Sequence, residues 1–234
     1  MAFLEFDKKE TVSVISMNSG KNTQDLVFAQ TMNSLLEEVN KDTDVTALVI
    51  TSTDEKNWSQ GIDLEWMNQE NQKNNIKDVR EFFVVLDQVY SKLMLLPVPT
   101  IATITGHAFG AGAFLATACD YRFMNAHRGY FCFPEIDLKM DFLPGVFSML
   151  AHKLPDFKLP DLVYTGKYAT AKELEKYFIV EKACASIEET IETAMDFARS
   201  FNKDRNLIGT YKQKFNGKAA EILVQKDLEH FKTN

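Results

Sequence analysis

The sequence predicts an α/β fold with one core, on three observations. Short runs that are apolar at nearly every position alternate with longer stretches whose apolar residues recur three and four apart, the pattern of buried strands between amphipathic helices. No Pro/Gly/Ser-rich linker divides the 234 residues and no internal period is visible. The composition, 45% hydrophobic and 25% charged, is that of an ordinary globular chain long enough to bury a core without staples.

Taken in order, Phe3-Leu4-Glu5-Phe6 and Val12-Ser13-Val14-Ile15 read as a hairpin turning at Asp7-Lys8-Lys9-Glu10. Asn22 or Thr23 is the expected cap of a helix carrying Leu26, Ala29, Met32, Leu36 and Val39. Val45 to Thr51 is a strand apolar on both faces. Residues 76 to 96 place Ile76, Val79, Phe82, Phe83, Leu86, Val89, Tyr90 and Leu93 in helical register, and Pro97 ends the helix. Thr100 to Thr105 is the next buried strand, a glycine-rich turn from Gly106 to Gly112 opens a helix through Thr117, and Tyr121 to Met124 is again a strand. The last third reads as mostly helical.

Several function classes drop out. With 26 basic residues against 33 acidic, a net charge of −7, and the positive charges scattered among acids, no nucleic-acid footprint is expected. Cys119, Cys132 and Cys184 are odd in number, widely spaced and set among apolar residues, as in reduced core cysteines of an intracellular protein, and they have no zinc spacing. The uncharged stretch between Lys92 and Asp120 is broken by Pro97, Pro99, Gly106, Gly110 and Gly112, so strand, turn and helix are expected there and not a membrane span. The N-terminus lacks the apolar run of a signal peptide, and Lys232-Thr233-Asn234 is no peroxisomal address, so cytoplasm is the expected compartment.

Three segments are candidates for chemistry. In Asn57-Trp58-Ser59-Gln60-Gly61-Ile62-Asp63-Leu64, Gly61 permits a turn that leaves neighbouring N–H groups free to face a cleft, with Asp63 bracing it; a surface loop is the alternative. In Gly106-His107-Ala108-Phe109-Gly110-Ala111-Gly112-Ala113-Phe114, a strand feeds a glycine-rich helix start whose N–H groups suit an anion or developing oxyanion; the alternative is close helix packing. In Phe131-Cys132-Phe133-Pro134-Glu135, apolar neighbours would raise the carboxyl pKa into the range of a useful base if Glu135 is buried; a solvated Glu is the alternative. The four histidines form no metal pair and Ser59 has no base partner, so metal and serine-triad readings are weak and no metal is expected.

In this order, the three segments resemble the enoyl-CoA hydratase/isomerase, or crotonase, superfamily. The resemblance runs from about Phe3 through Ala183 and is strongest in Ala47 to Thr51 leading to Gly61-Ile62-Asp63-Leu64, in Pro97 to Ala102 leading to Gly106 through Asp120, in Pro134-Glu135, and in Thr165 to Leu174. It implies a ClpP/crotonase-type spiral of ββα units, with residues 1–183 as the α/β core and 184–234 as a helical region packing on that core and on neighbouring subunits of a homotrimer or dimer of trimers. It also implies an acyl-CoA thioester substrate, with coenzyme A entering as part of it and no separate cofactor.

By position, the backbone N–H groups of Ile62 and Ala111 would be the oxyanion hole and Glu135 the acid/base. Ser59, Gln60, Gly61, Asp63, Leu64, Gly110 and Phe114 would bind substrate. Where hydratases of the family carry a first glutamate, this chain has Phe114, which cannot activate water, so the resemblance points to 3-enoyl-CoA isomerisation through Glu135 alone. Other enolate reactions of a CoA thioester, and non-catalytic acyl-CoA binding, are the rival functions. The segment Ile136 to Leu143 is longer than usual and lacks the customary glycine, so the loop beside the base is expected to be reshaped, with Asp137 and Asp141 either at the surface or near the cleft. Phe109, Phe114, Phe131, Phe133, Phe142 and Phe147 are candidates for an acyl pocket or for core.

Overall fold

The computed structural model describes residues 3–233, with side chains through 230. Strand β1 (Leu4–Lys9) and β2 (Val12–Met17) form the antiparallel hairpin, and the chain continues through β3 (Thr23–Gln24), α1 (Leu26–Lys41), β4 (Ala47–Ser52), β5 (Asn57–Ser59), β6 (Gly61–Ile62), α2 (Leu64–Gln72) and α3 (Ile76–Leu95). It then forms β7 (Thr100–Ile104), β8 (His107–Phe109), α4 (Ala111–Ala118), β9 (Tyr121–Asn125), β10 (Phe131–Cys132) and α5 (Glu135–Leu138). The remainder is α6 (Pro144–Lys153), α7 (Leu159–Thr165), α8 (Ala171–Lys176), β11 (Lys182–Cys184), α9 (Ile187–Arg199) and α10 (Arg205–Thr233).

The main sheet has the order β1-β2-β4-β7-β9-β11 and is parallel beyond the hairpin. Each of β4, β7 and β9 is followed by a short strand, β5, β8 or β10, and these build a second parallel sheet of order β10-β8-β5. This is the spiral: every turn of chain lays one strand in each sheet. Both faces of the main sheet are covered at its centre, which is why β4 and β7 are buried at every position. Leu48 and Ile50 join the core shared with α1, α3 and α4, while Ala47 and Val49 face Ala194, Met195 and Ala198 of α9. Helix α10 packs on α3 and α6, and β11, which holds the 183/184 boundary, extends the main sheet.

Several local readings need correction. Asp7, Lys8 and Lys9 belong to β1, and the turn is at Glu10, whose φ is 59°; an edge strand exposes one side and so tolerates charges. Helix α1 is capped by Asp25, whose side chain accepts from Phe28 N. Asn22 is instead buried with its amide donating to Ser52 Oγ and Trp58 O, and Thr23 pairs in β3. The segment 57–62 is no surface loop: it forms the short strands β5 and β6, and Trp58 in the middle of β5 is fully buried. Strands β8 and β11 appear where a turn and helix were expected. The Lys92 to Asp120 stretch resolves into the end of α3, β7, β8 and α4, and no helix among the described residues is long and apolar enough to cross a membrane. Cys119, Cys132 and Cys184 are buried and free, and burial pushes the Cys119 and Cys132 thiols up to about 12, far from a nucleophilic thiolate.

Candidate active site

The site is built on two backbone features. Gly61 has φ +82° and a β-carbon there would sit 2.6 Å from Phe109 O and 3.0 Å from Ala111 N, so only glycine lets β6 lie against the start of α4. Directly after β6, Asp63 N donates to Gln24 O of β3; because successive amides of extended chain point to opposite sides, the Ile62 N–H points away from β3. On the facing element, α4 starts at Gly110 (φ 50°) with no side-chain cap, which leaves the Ala111 N–H without an intrahelical partner. The next peptide is held by the Ala111 carbonyl, which accepts from Gln24 Nε2 and Tyr90 Oη, each at 3.3 Å.

A cavity of about 200 Å³ opens here, lined by Ile62, Ala111, Phe114, Glu135 and Tyr90, by the acids Asp87 and Asp141, and by apolar side chains of α3, α6 and the 140–143 segment. Glu135 begins α5, and a β-carbon at Gly110 would sit 3.4 Å from its Oε1, so the carboxyl lies over the glycine that starts α4. Its Oε2 is buried with no hydrogen-bond partner. Burial pushes the carboxyl up to about 7, so near neutral pH it exists in both forms and can take up and release a proton.

The structure thus brings Ile62, Ala111, Glu135 and Phe114 to one cavity. Ser59, Gln60, Asp63 and Leu64 lie outside its lining. Ser59 Oγ donates to Asn22 O (2.7 Å) and accepts from Gly61 N and Gln24 Nε2. Asp63 caps α2 by accepting from Trp66 N and is bonded by Thr23 Oγ1, while Gln60 Nε2 donates to Asn57 Oδ1. Leu64 is 49% exposed on α2. The reshaped loop is real: Lys139 takes the left-handed conformation (φ 56°) that glycine would favour, Met140 N donates to Glu135 O, and Met140, Asp141, Phe142 and Leu143 line the cavity. Asp137 is exposed. Of the phenylalanines, Phe114 and Phe142 line the cavity, Phe131 and Phe133 are core, and Phe109 and Phe147 lie elsewhere. Sequence reasoning missed Asp87 as a site residue; a lone acid in an amphipathic helix carries no signal of which face it occupies.

The family model for enoyl-CoA hydratase/isomerase matches residues 7–230. The chain belongs to that family. It is 32% identical over 170 residues, 70% of this chain and 69% of the other, to enoyl-CoA delta isomerase 2 (peroxisomal) of Arabidopsis thaliana. It is also 26% identical to a short-chain-enoyl-CoA hydratase of Clostridium acetobutylicum, over 82% of this chain and 72% of that one. Among solved structures, an enoyl-CoA hydratase from Bacillus halodurans superposes with a TM-score of 0.87 at 20% identity, covering 97% of this chain and 93% of its own, which shows the crotonase fold. The expectation of a crotonase-type enoyl-CoA hydratase/isomerase therefore stands, and the family's substrates are acyl-CoA thioesters.

Proposed function

We propose that this enzyme isomerises 3-enoyl-CoA to 2-enoyl-CoA. The observation that carries the reading is the unpartnered, buried Oε2 of Glu135 in the same cavity as Ile62 and Ala111, with Phe114 where a second glutamate would stand. The thioester oxygen would accept from the two N–H groups. Ionised Glu135 removes a proton from C2, the electron pair moves into the thioester to give a dienolate, and the 3,4 double bond shifts as Glu135 returns the proton to C4. Holding the oxyanion with backbone donors explains why isoleucine and alanine serve there as well as smaller residues.

Hydration would need a second carboxylate to position water. Phe114, buried against Phe133 and Phe142, cannot do so, Asp87 is engaged by another carboxyl, and Asp141 is exposed on the rim, where one oxygen accepts from Phe142 N. The test is product analysis: with 3-hexenoyl-CoA the purified protein yields 2-hexenoyl-CoA, and with 2-hexenoyl-CoA it forms 3-hydroxy product at least about a hundredfold more slowly. Rapid hydration, or no double-bond movement, overturns the reading.

A further inference from the structure

The α3 face that lines the cavity is made of Phe83, Leu86, Asp87 and Tyr90, spaced as one helical stripe. Three of these suit an acyl chain. Asp87 does not: it is 3% exposed, and most of the surrounding wall is apolar, from Phe114, Phe142, Leu143 and Val146. Removing a carboxyl from water costs several kcal/mol, on the order of what a structural contact must then repay.

Its partner is another acid. Asp87 is hydrogen-bonded to Asp227 of α10, and two carboxyls can bond only through a shared proton. Asp227 is otherwise committed, accepting from Gly145 N (2.6 Å) and Val146 N (3.3 Å) at the start of α6. Burial and the neighbouring Asp227 hold the Asp87 carboxyl well above the usual carboxylate range. Asp227 thus fastens α6 to α10, while Asp87 is the member of the pair that lines the cavity.

Size limits the ligand. A dry protein cavity of about 150 Å³ holds a benzene ring, so the roughly 200 Å³ here fits a short acyl group. Charge limits it further, because a carboxyl pair sharing one proton carries one negative charge and repels an anionic chain end.

We propose that Asp87 is a specificity-determining residue that receives an uncharged oxygen, hydroxyl or keto, on the distal part of a short acyl chain, so that the preferred substrates are CoA thioesters of oxygen-bearing acyl groups. The assignment rests on the acyl-CoA reading of the site.

Equilibrium binding of hexanoyl-CoA, 5-hydroxyhexanoyl-CoA, 5-oxohexanoyl-CoA and adipyl-CoA to the full chain tests it without any turnover. The parent is expected to bind the hydroxy or oxo thioester about tenfold more tightly than hexanoyl-CoA, with adipyl-CoA weakest. Asp87→Leu reverses that order by about tenfold, since the oxygen then loses its partner, whereas Asp87→Asn keeps the preference within about threefold. A carboxyl pair that only fastens helices would change stability and leave the ligand ratio alone. A parent that favours hexanoyl-CoA, or a ratio unchanged in Asp87→Leu, overturns the assignment; should that variant not fold, the parent and Asp87→Asn ratios decide. If none of the four thioesters binds, the acyl-CoA reading falls and takes this assignment with it. Binding with the expected order but without turnover of 3-hexenoyl-CoA sinks only the isomerase step.

Discussion

The two sides of the cavity that the proposed chemistry uses are built by opposite means. The amides of Ile62 and Ala111 sit in a nearly solvent-free lattice, where Asn22, Gln24, Ser59 and Trp58 are all buried and bonded through the backbone of β3, β5 and α4. Glu135 comes from a four-residue helix whose next residues, Ile136 to Met140, are exposed and whose turn is closed by a left-handed Lys139. On the proposed mechanism the buried side would meet a developing charge at fixed geometry, and the side bordered by exposed chain would reach two carbons in turn.

The most damaging way to break this contrast is Gly61→Ala. Its β-carbon would press on Phe109 O at 2.6 Å with a positive φ, so kcat/KM should fall about a hundredfold or more, with roughly 1–3 kcal/mol lost from stability. Steady-state kinetics and denaturant melts read both; near-parental kinetics would mean the amide pair does not hold the oxygen.

A second expectation concerns pH. Glu135 must be ionised to take the C2 proton and burial places it at about 7, so kcat/KM should fall about tenfold per pH unit below 7 and level above it. A flat profile between pH 5 and pH 8, values chosen on either side of that range, would say that another group is the base.

The same displacement has a stability consequence. The folded pKa of Glu135 lies above its unfolded value, so the carboxyl's contribution is fully present below the unfolded pKa and is lost as pH rises through about 7. Glu135→Gln does not titrate and should exceed the parent by up to roughly 3 kcal/mol at about pH 8, with the gain disappearing at about pH 4. Thermal melts at the two pH values check the sign. Smallest of all, Lys139→Gly relieves a left-handed residue on the exposed side and should raise stability by up to about 1 kcal/mol.

Much of this was legible in the residues themselves. The main-sheet strands β4, β7 and β9 announced themselves because both faces are buried, and α3 because its stripe ends at Pro97. Gly61, Gly110 and Glu135 stood out as one backbone requirement repeated and one acid among aromatics, although only the family resemblance joined them into a site. The second sheet was invisible because strands of two or three residues such as β5, β8 and β10 are too short to show a period. Asn22 looked like a helix cap because its side chain suits that role; the cap fell to Asp25 because Thr23 and Gln24 pair with β6 first. Asp87 was unreadable since its partner, Asp227, lies on α10 and meets it only through tertiary packing.

The decisive measurement is the rate at which the parent and Glu135→Gln convert 3-hexenoyl-CoA to 2-hexenoyl-CoA, taken side by side with binding of the thioester to both. Glu135→Gln should bind within a few-fold of the parent and turn over at least about a thousandfold more slowly. Turnover within about tenfold of the parent would contradict the single-carboxylate proton transfer outright.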